Sequence, residues 1–209
     1  MKIIIFGGTG TVGRLVVERT LADGHEVTAF SRKPENLRIR HPNLTLFAGD
    51  ACGRATVSDA IRGHDAVLIT LGSGMSRKSA IRSQGTMNVI QGMHAHGVRR
   101  LICQSTLGAH ESWGNLNFFW KRVMFGLLLR PVFLDHELQE NLVRASGLDW
   151  TLVRPSAFTD GPATGAFKEA IKSNERNLSL KISRADVAEF LRQQLSDATY
   201  IQRAVGISN

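Results

Sequence analysis

The sequence predicts an α/β fold: one parallel sheet, doubly wound by helices on its two faces, in a single domain spanning residues 1–209. Three observations lead there. Short apolar runs suited to strands alternate with helical periodicity along the chain. The opening thirteen residues, MKIIIFGGTGTVG, set the apolar run Ile3-Ile4-Ile5-Phe6 directly before a glycine-rich turn, and a helical pattern starts at Arg14. An unbroken apolar run is what a strand buried on both faces requires. Finally, 209 residues that are 43% hydrophobic and 21% charged suffice for one sizeable core.

Gly7, Gly8, Gly10 and Gly13 fit both GxGxxG and GxxGxxG spacings. Strand, glycine turn and helix are the parts of the Rossmann-type dinucleotide-binding unit, in which a pyrophosphate approaches bare backbone and sits on the free N–H groups of the helix's first turn. Gly7, Gly10, Thr11, Val12 and Gly13 are therefore expected at the cofactor. Thr9 and Thr11 can donate hydroxyls to phosphate or cap the helix. GGTGTVG resembles the short-chain dehydrogenase/reductase superfamily, especially its extended and atypical branches.

Helix 11–22 stops at Asp23-Gly24, and 26–30 is the second strand. Ser31-Arg32-Lys33 follows, where an acidic residue would hold the adenine ribose and an arginine fork would hold a 2′-phosphate. No carboxylate occurs before Glu35, so Ser31 and Arg32 are expected to select NADPH over NADH. Strand 44–47 ends in Gly49-Asp50; Asp50 either reaches the adenine amino group, as the superfamily resemblance implies, or caps the turn. Helix 56–62 leads to strand 66–71, whose Leu71 and Gly72, with Ser73-Gly74, fall on the same rim as the first glycine turn. A long helix, 79–95, carries Asn88 and the pair His94 and His96, which face opposite sides. Strand 99–103 ends at Gln104-Ser105-Thr106. Helix 135–146, strand 150–153 closed by Pro155, a capping box Ser183-x-x-Asp186 opening a helix to Leu195, and strand 201–205 complete the chain.

Net charge of +8 is spread over single and paired basic residues, which suits anionic cofactors and substrates. Neither nucleic acid nor membrane is expected as a partner. The strongest apolar stretch, 123–129, is broken by Gly126 and flanked by Lys121, Arg122 and Arg130, far short of a span. The N-terminus is itself a core strand and leaves no place for a signal peptide, so the cytoplasm is expected. Cys52 and Cys103 lack metal or disulfide spacing and read as packing residues; no metal site is expected.

The pattern DHxxxE over Asp135, His136 and Glu140, then SGLDWTxxRP from Ser146 to Pro155, Asp160-Gly161-Pro162, Thr164-Gly165 and Ile182–Ala188 extend the likeness over essentially the whole chain. Together with GGTGTVG and Ser105, they resemble the atypical short-chain family that includes biliverdin reductase B (flavin reductase) and NmrA-like NAD(P)H-binding proteins. The resemblance implies a nicotinamide cofactor, with Ser105 near its ring. In classical short-chain dehydrogenases such a serine partners a Tyr-x-x-x-Lys pair. Here the sole tyrosine is Tyr200, and the two positions fall near Val132 and at His136.

Segment 108–133 holds Trp113, Phe118, Phe119, Trp120, Phe125 and Phe133, and with 155–170 it is expected to flank the substrate. Trp113, Phe119 and Trp120 are the candidate substrate contacts, with packing on the core or at a dimer contact the alternative. Pro155, Ser156 and Phe158 open a loop whose main-chain groups would grip the nicotinamide carboxamide. An aromatic wall without the tyrosine suits hydride transfer to a conjugated acceptor such as a flavin, quinone or biliverdin-type tetrapyrrole, with water supplying the proton. Ser105 and His136 are the candidate catalytic residues, in a monomer or homodimer. A non-catalytic NADP(H)-binding sensor is the competing reading, and an epimerase or reductase of an extended sugar or lignan-type substrate a third.

Overall fold

The computed structural model describes residues 1–74, 76 and 80–209. Seven parallel strands form the main sheet in the order β3-β2-β1-β4-β5-β6-β9. They are β1 (Lys2–Phe6), β2 (Glu26–Ser31), β3 (Leu44–Ala48), β4 (Ala66–Ile69), β5 (Arg100–Gln104), β6 (Asp149–Pro155) and β9 (Arg203–Ile207). Five α-helices accompany them: α1 (Thr11–Ala22), α2 (Arg54–Ile61), α3 (Ile81–His96), α4 (Arg130–Arg144) and α5 (Arg184–Gln193). Strand order reverses between β1 and β4, which opens a crevice beyond their carboxyl ends.

Alternation along β1 divides the core. Ile3 and Ile5 join the α1 and α5 side chains on one face, while Ile4 and Phe6 join those of α2 and α3 on the other. A third cluster of Leu107, Leu116, Phe125, Phe133 and Leu180 lies apart from both. Tyr200 packs against Phe190 in the first cluster, ring centroids 6.0 Å apart.

The departures from expectation sit at strand and helix ends. β4 ends at Ile69; the Thr70 N–H still donates to the Phe6 carbonyl at 2.9 Å, and its Oγ1 reaches the same oxygen at 3.1 Å. The last strand begins at Arg203, after Gln202 at φ 56 donates its N–H to the Trp150 carbonyl. α4 begins at Arg130 with Pro131 in its first turn, where a missing N–H costs nothing. The expected start of the third helix, Ser79, lies outside the described residues; the helix is described from Ile81. The expected loop after Pro155 instead contains β7 (Ala157–Thr159), which pairs in parallel with β8 (Lys181–Ser183). Ser183 caps α5 as expected, accepting from the Asp186 N–H at 2.9 Å. Asp186 in turn accepts from the N–H groups of Thr164 and Gly165, tying that distant loop down. Cys103 is buried, but Cys52 is exposed and is not a packing residue.

Candidate functional site

A cavity of about 910 Å³ runs along the carboxyl ends of the central strands. Glycine shapes its floor. Gly7 has φ +86, and a side chain there would place Cβ 2.6 Å from the Thr70 carbonyl. At Gly13 a Cβ would lie 2.2 Å from the Gly7 carbonyl, so this residue brings α1 against the turn and does not itself line the cavity. Gly7, Thr9, Gly10, Thr11 and Val12 do line it. The cap of α1 at Gly10 makes no side-chain hydrogen bond, and the first turn carries no acidic residue, so neither threonine serves as the cap. The first N–H groups of α1 are left for an anion.

The rim beyond β2 is basic. Ser31, Arg32, Lys33 and Asn36 line the cavity, with Arg32 and Lys33 exposed. Asp50 lines it as well while its Oδ1 accepts the Cys52 N–H at 2.9 Å, so the turn-cap role is present. Leu71, Gly72 and Gly74 complete this end. Asn88 is buried, and its Nδ2 donates to the Ala51 carbonyl at 2.9 Å, which holds α3 behind the rim. His94 and His96 diverge to the Ser146 carbonyl and the Ser58 hydroxyl.

Asp135 sits at a junction that sequence spacing does not reveal. From α4 it accepts the Ser83 Oγ–H at 2.6 Å and the N–H groups of Ser83 and Arg82, capping α3 from another helix. Arg82 is half-buried against the cavity, its Nη1 3.7 Å from Asp135 Oδ2 and its Nε without a partner among the described residues. Burial holds its pKa below the ordinary guanidinium value, although Asp135 opposes this. His136 and Val132 line the cavity on the next turns of α4. Burial, then the Arg82 charge, push the His136 pKa down to about 3, with Gln139 opposing. The ring is therefore neutral at physiological pH.

Ser105 stands at the end of β5 and is buried. Its Oγ–H donates to Glu140 Oε1 at 2.6 Å. The same oxygen accepts from Arg154 Nε at 2.8 Å, and Arg154 Nη2 reaches Oε2, forming a bidentate pair with both side chains buried. Glu111 accepts from Arg154 and Arg144 at the outer edge; burial pulls its pKa up, but these guanidiniums hold it down at about 2. With its proton spent on Glu140, Ser105 shows lone pairs to the cavity.

The far wall is apolar: Leu116, Trp120, Phe125, Leu129 and Leu180. Residues Phe119–Leu128 form a π-helix, which turns Trp120 and Phe125 inward and leaves Phe118 and Phe119 exposed. Phe119 and Trp113 do not line the cavity, contrary to their selection as substrate contacts. Trp113 instead stacks beside Phe133 at 5.3 Å on the outer face. Pro155, Ser156 and Phe158 line the cavity. The Ser156 and Ala157 N–H groups already serve the Ile207 and Leu180 carbonyls, so this loop offers the Ser156 hydroxyl more readily than its main chain.

The residues fit an adenine dinucleotide. Bare backbone meets the pyrophosphate position, and five buried polar atoms of lining residues, Ser31 Oγ, Arg82 Nε, Gln104 Oε1, His136 Nδ1 and Ser156 Oγ, lack hydrogen-bond partners among the described residues. Such atoms cost free energy unless a ligand or water satisfies them. Arg82, Asp135, Gln104 and the Glu140–Arg154 pair escaped sequence reasoning as site residues. Asp135, Glu140 and Arg154, which belong to the quoted pattern, gave the one signal; Arg82 and Gln104 gave none.

A family model described as NAD(P)H-binding matches residues 7–198. The uncharacterized sugar epimerase YhfK of Bacillus subtilis is 26% identical, covering 100% of this chain and 94% of that protein. Among solved structures, the anaerobilin reductase ChuY of Escherichia coli O157:H7 is 26% identical with a TM-score of 0.77, covering 100% and 97% of the two chains. A wide-type short-chain dehydrogenase/reductase of Veillonella parvula, solved in complex with NADP, has a TM-score of 0.82 at 18% identity, covering 100% and 94%. These neighbours bear out the atypical short-chain resemblance and the α/β fold.

Proposed function

The chain belongs to the NAD(P)H-binding family, and from that premise we propose that it is an NADPH-dependent reductase of a conjugated acceptor: a flavin, a quinone or a biliverdin-type tetrapyrrole. One observation carries the reading. A single cavity joins a glycine turn with a basic rim at one end to an aromatic wall at the other, and Val132 and His136 stand where the resemblance would place a tyrosine and a lysine. ChuY, named an anaerobilin reductase, supports the tetrapyrrole option.

When bound, the dihydronicotinamide supplies a hydride. The chain's own residues do the rest. The first turn of α1 holds the pyrophosphate, and Arg32, with Ser31 and Lys33 beside it, receives the 2′-phosphate through charge-assisted hydrogen bonds. Ser105, fixed by Glu140, accepts a hydrogen bond from the carboxamide or from an acceptor N–H. Trp120, Phe125 and Leu129 hold a flat ring and exclude water. Neutral His136 offers a hydrogen bond but no acidic proton, so the proton that follows the hydride comes from water. Arg82 is the cavity cation placed to receive an anionic substituent of the acceptor.

The test is NADPH oxidation by purified protein given FMN, FAD, a quinone or biliverdin. Turnover is expected with at least one, and Ser105→Ala should slow it about fivefold to tenfold, the worth of one hydrogen bond. Tight NADPH binding with no turnover on any of these acceptors would replace the reductase by the sensor.

A further inference from the structure

We propose that the outer face of segment 112–134 is a docking surface for an anionic phospholipid bilayer, on which the protein sits peripherally. This inference stands apart from the reductase reading. It begins with what the segment exposes. Phe118 is 76% and Leu127 72% exposed, and Phe119, Leu128 and Leu134 are also exposed on the same stretch of chain. Single apolar side chains at a surface are ordinary, but a group this large within one segment marks an interaction site.

The charge of the segment selects the partner. Between Ser112 and Leu134 there are three cations, Lys121, Arg122 and Arg130, and no Asp or Glu at all. None of the three enters an ion pair among the described residues, although fifteen such pairs occur elsewhere on the protein. All three border one groove of about 530 Å³, whose apolar lining includes Trp113, Phe125 and Phe133. Cations around an apolar floor match a phosphate headgroup above acyl chains, the arrangement of interfacial helices rich in Phe, Trp, Leu, Lys and Arg. A second copy of the chain is the rival occupant. Pairing this segment with itself across a two-fold axis would set three cations against three, with no carboxylate of its own to answer them. No helix among the described residues is long and apolar enough to cross a membrane, so contact is superficial.

The inner face of the same segment supplies Trp120, Phe125 and Leu129 to the large cavity. Docking would therefore lay the bilayer against the far side of the substrate wall. The sequence alone pointed away from a membrane because it shows the length of the apolar run and not which side chains protrude.

The test is co-sedimentation of the full chain with vesicles of phosphatidylglycerol and phosphatidylcholine, compared with phosphatidylcholine alone. The protein should sediment with the first and weakly or not at all with the second, and added salt should release it. Lys121→Glu with Arg122→Glu should weaken binding at least tenfold, since each basic residue near an anionic surface contributes about fivefold. Phe118→Ser with Leu127→Ser should do the same. Both double variants keep NADPH affinity and melting temperature, which separates lost docking from misfolding, and the salt series on the unaltered protein needs no variant. Equal sedimentation with both vesicle types, no sedimentation with either, or a dimer in sedimentation velocity that the Phe118 and Leu127 changes dissolve would overturn the proposal.

Discussion

The two ends of the cavity are built by different means. At the end beyond β1 and β2, the lining comes from short contiguous stretches: Gly7, Gly10 and the first turn of α1 from one, and Ser31, Arg32 and Lys33 from another. At the other end, two polar side chains on the wall, Ser105 and Arg82, are held by partners from other elements. Ser105 depends on Glu140, thirty-five positions away, Glu140 on Arg154, and Arg82 on Asp135. Backbone binding is local and tolerates its neighbours. Side-chain binding is preorganised through buried charge, and each partner is exposed to the loss of the other.

The largest effect should therefore come from the acceptor end. Arg154→Ala strands Glu140 in the interior, and urea unfolding should show a loss of about 3–5 kcal/mol. Replacing both residues, Glu140→Leu with Arg154→Met, should recover much of that loss in stability while leaving Ser105 without its anchor. If Arg154→Ala proves neutral, the contrast between the two ends fails.

Arg32→Ala should leave folding untouched and weaken NADPH binding by about 1–3 kcal/mol in a calorimetric titration, with little change for NADH. Equal losses for both coenzymes would show that the basic rim does not read the 2′-phosphate.

His136 gives a test through pH. Its pKa lies at about 3 in the folded protein against an ordinary value of 6.5, so between those pH values the unfolded chain binds the additional proton. Stability should decline as pH falls from about 6.5 toward 3, by up to about 1.4 kcal/mol per pH unit from this ring alone. His136→Gln should flatten that slope in acid denaturation. An unchanged slope would mean that the ring is not held neutral.

The smallest contrast lies within the aromatic segment. Trp120→Ala should raise KM for the acceptor about tenfold through lost apolar contact. Phe119→Ala, one residue away and facing outward, should change it by less than about twofold. Similar effects from both would place the acceptor outside the cavity described.

How legible the molecule was follows the same division. The parallel sheet, the turn and Arg32 are written in contiguous residues: an apolar run, glycines at fixed intervals, a basic pair just past a strand. Strand ends differ by a few residues because pairing with a neighbouring strand decides them, and paired positions such as Phe6 and Ile69 lie far apart in sequence. Gly13 is legible in its motif, but its close approach to the Gly7 carbonyl is not, since the motif does not say which glycine packs the helix against the turn. Trp113, Phe119 and Trp120 could not be told apart by composition; a π-helix changes the angle between successive side chains and turned one of the three inward.

What the chain's order determined by itself was everything that depends on neighbours in sequence: the layered α/β architecture, the anion-binding turn and the basic rim, because backbone conformation and amphipathic period are local properties. What only tertiary structure decided was the state of the polar groups at the far end of the cavity. The neutral ring of His136, the spent proton of Ser105 and the half-buried Arg82 beside Asp135 follow from desolvation and from partners on other elements, and burial exists only once the chain has folded.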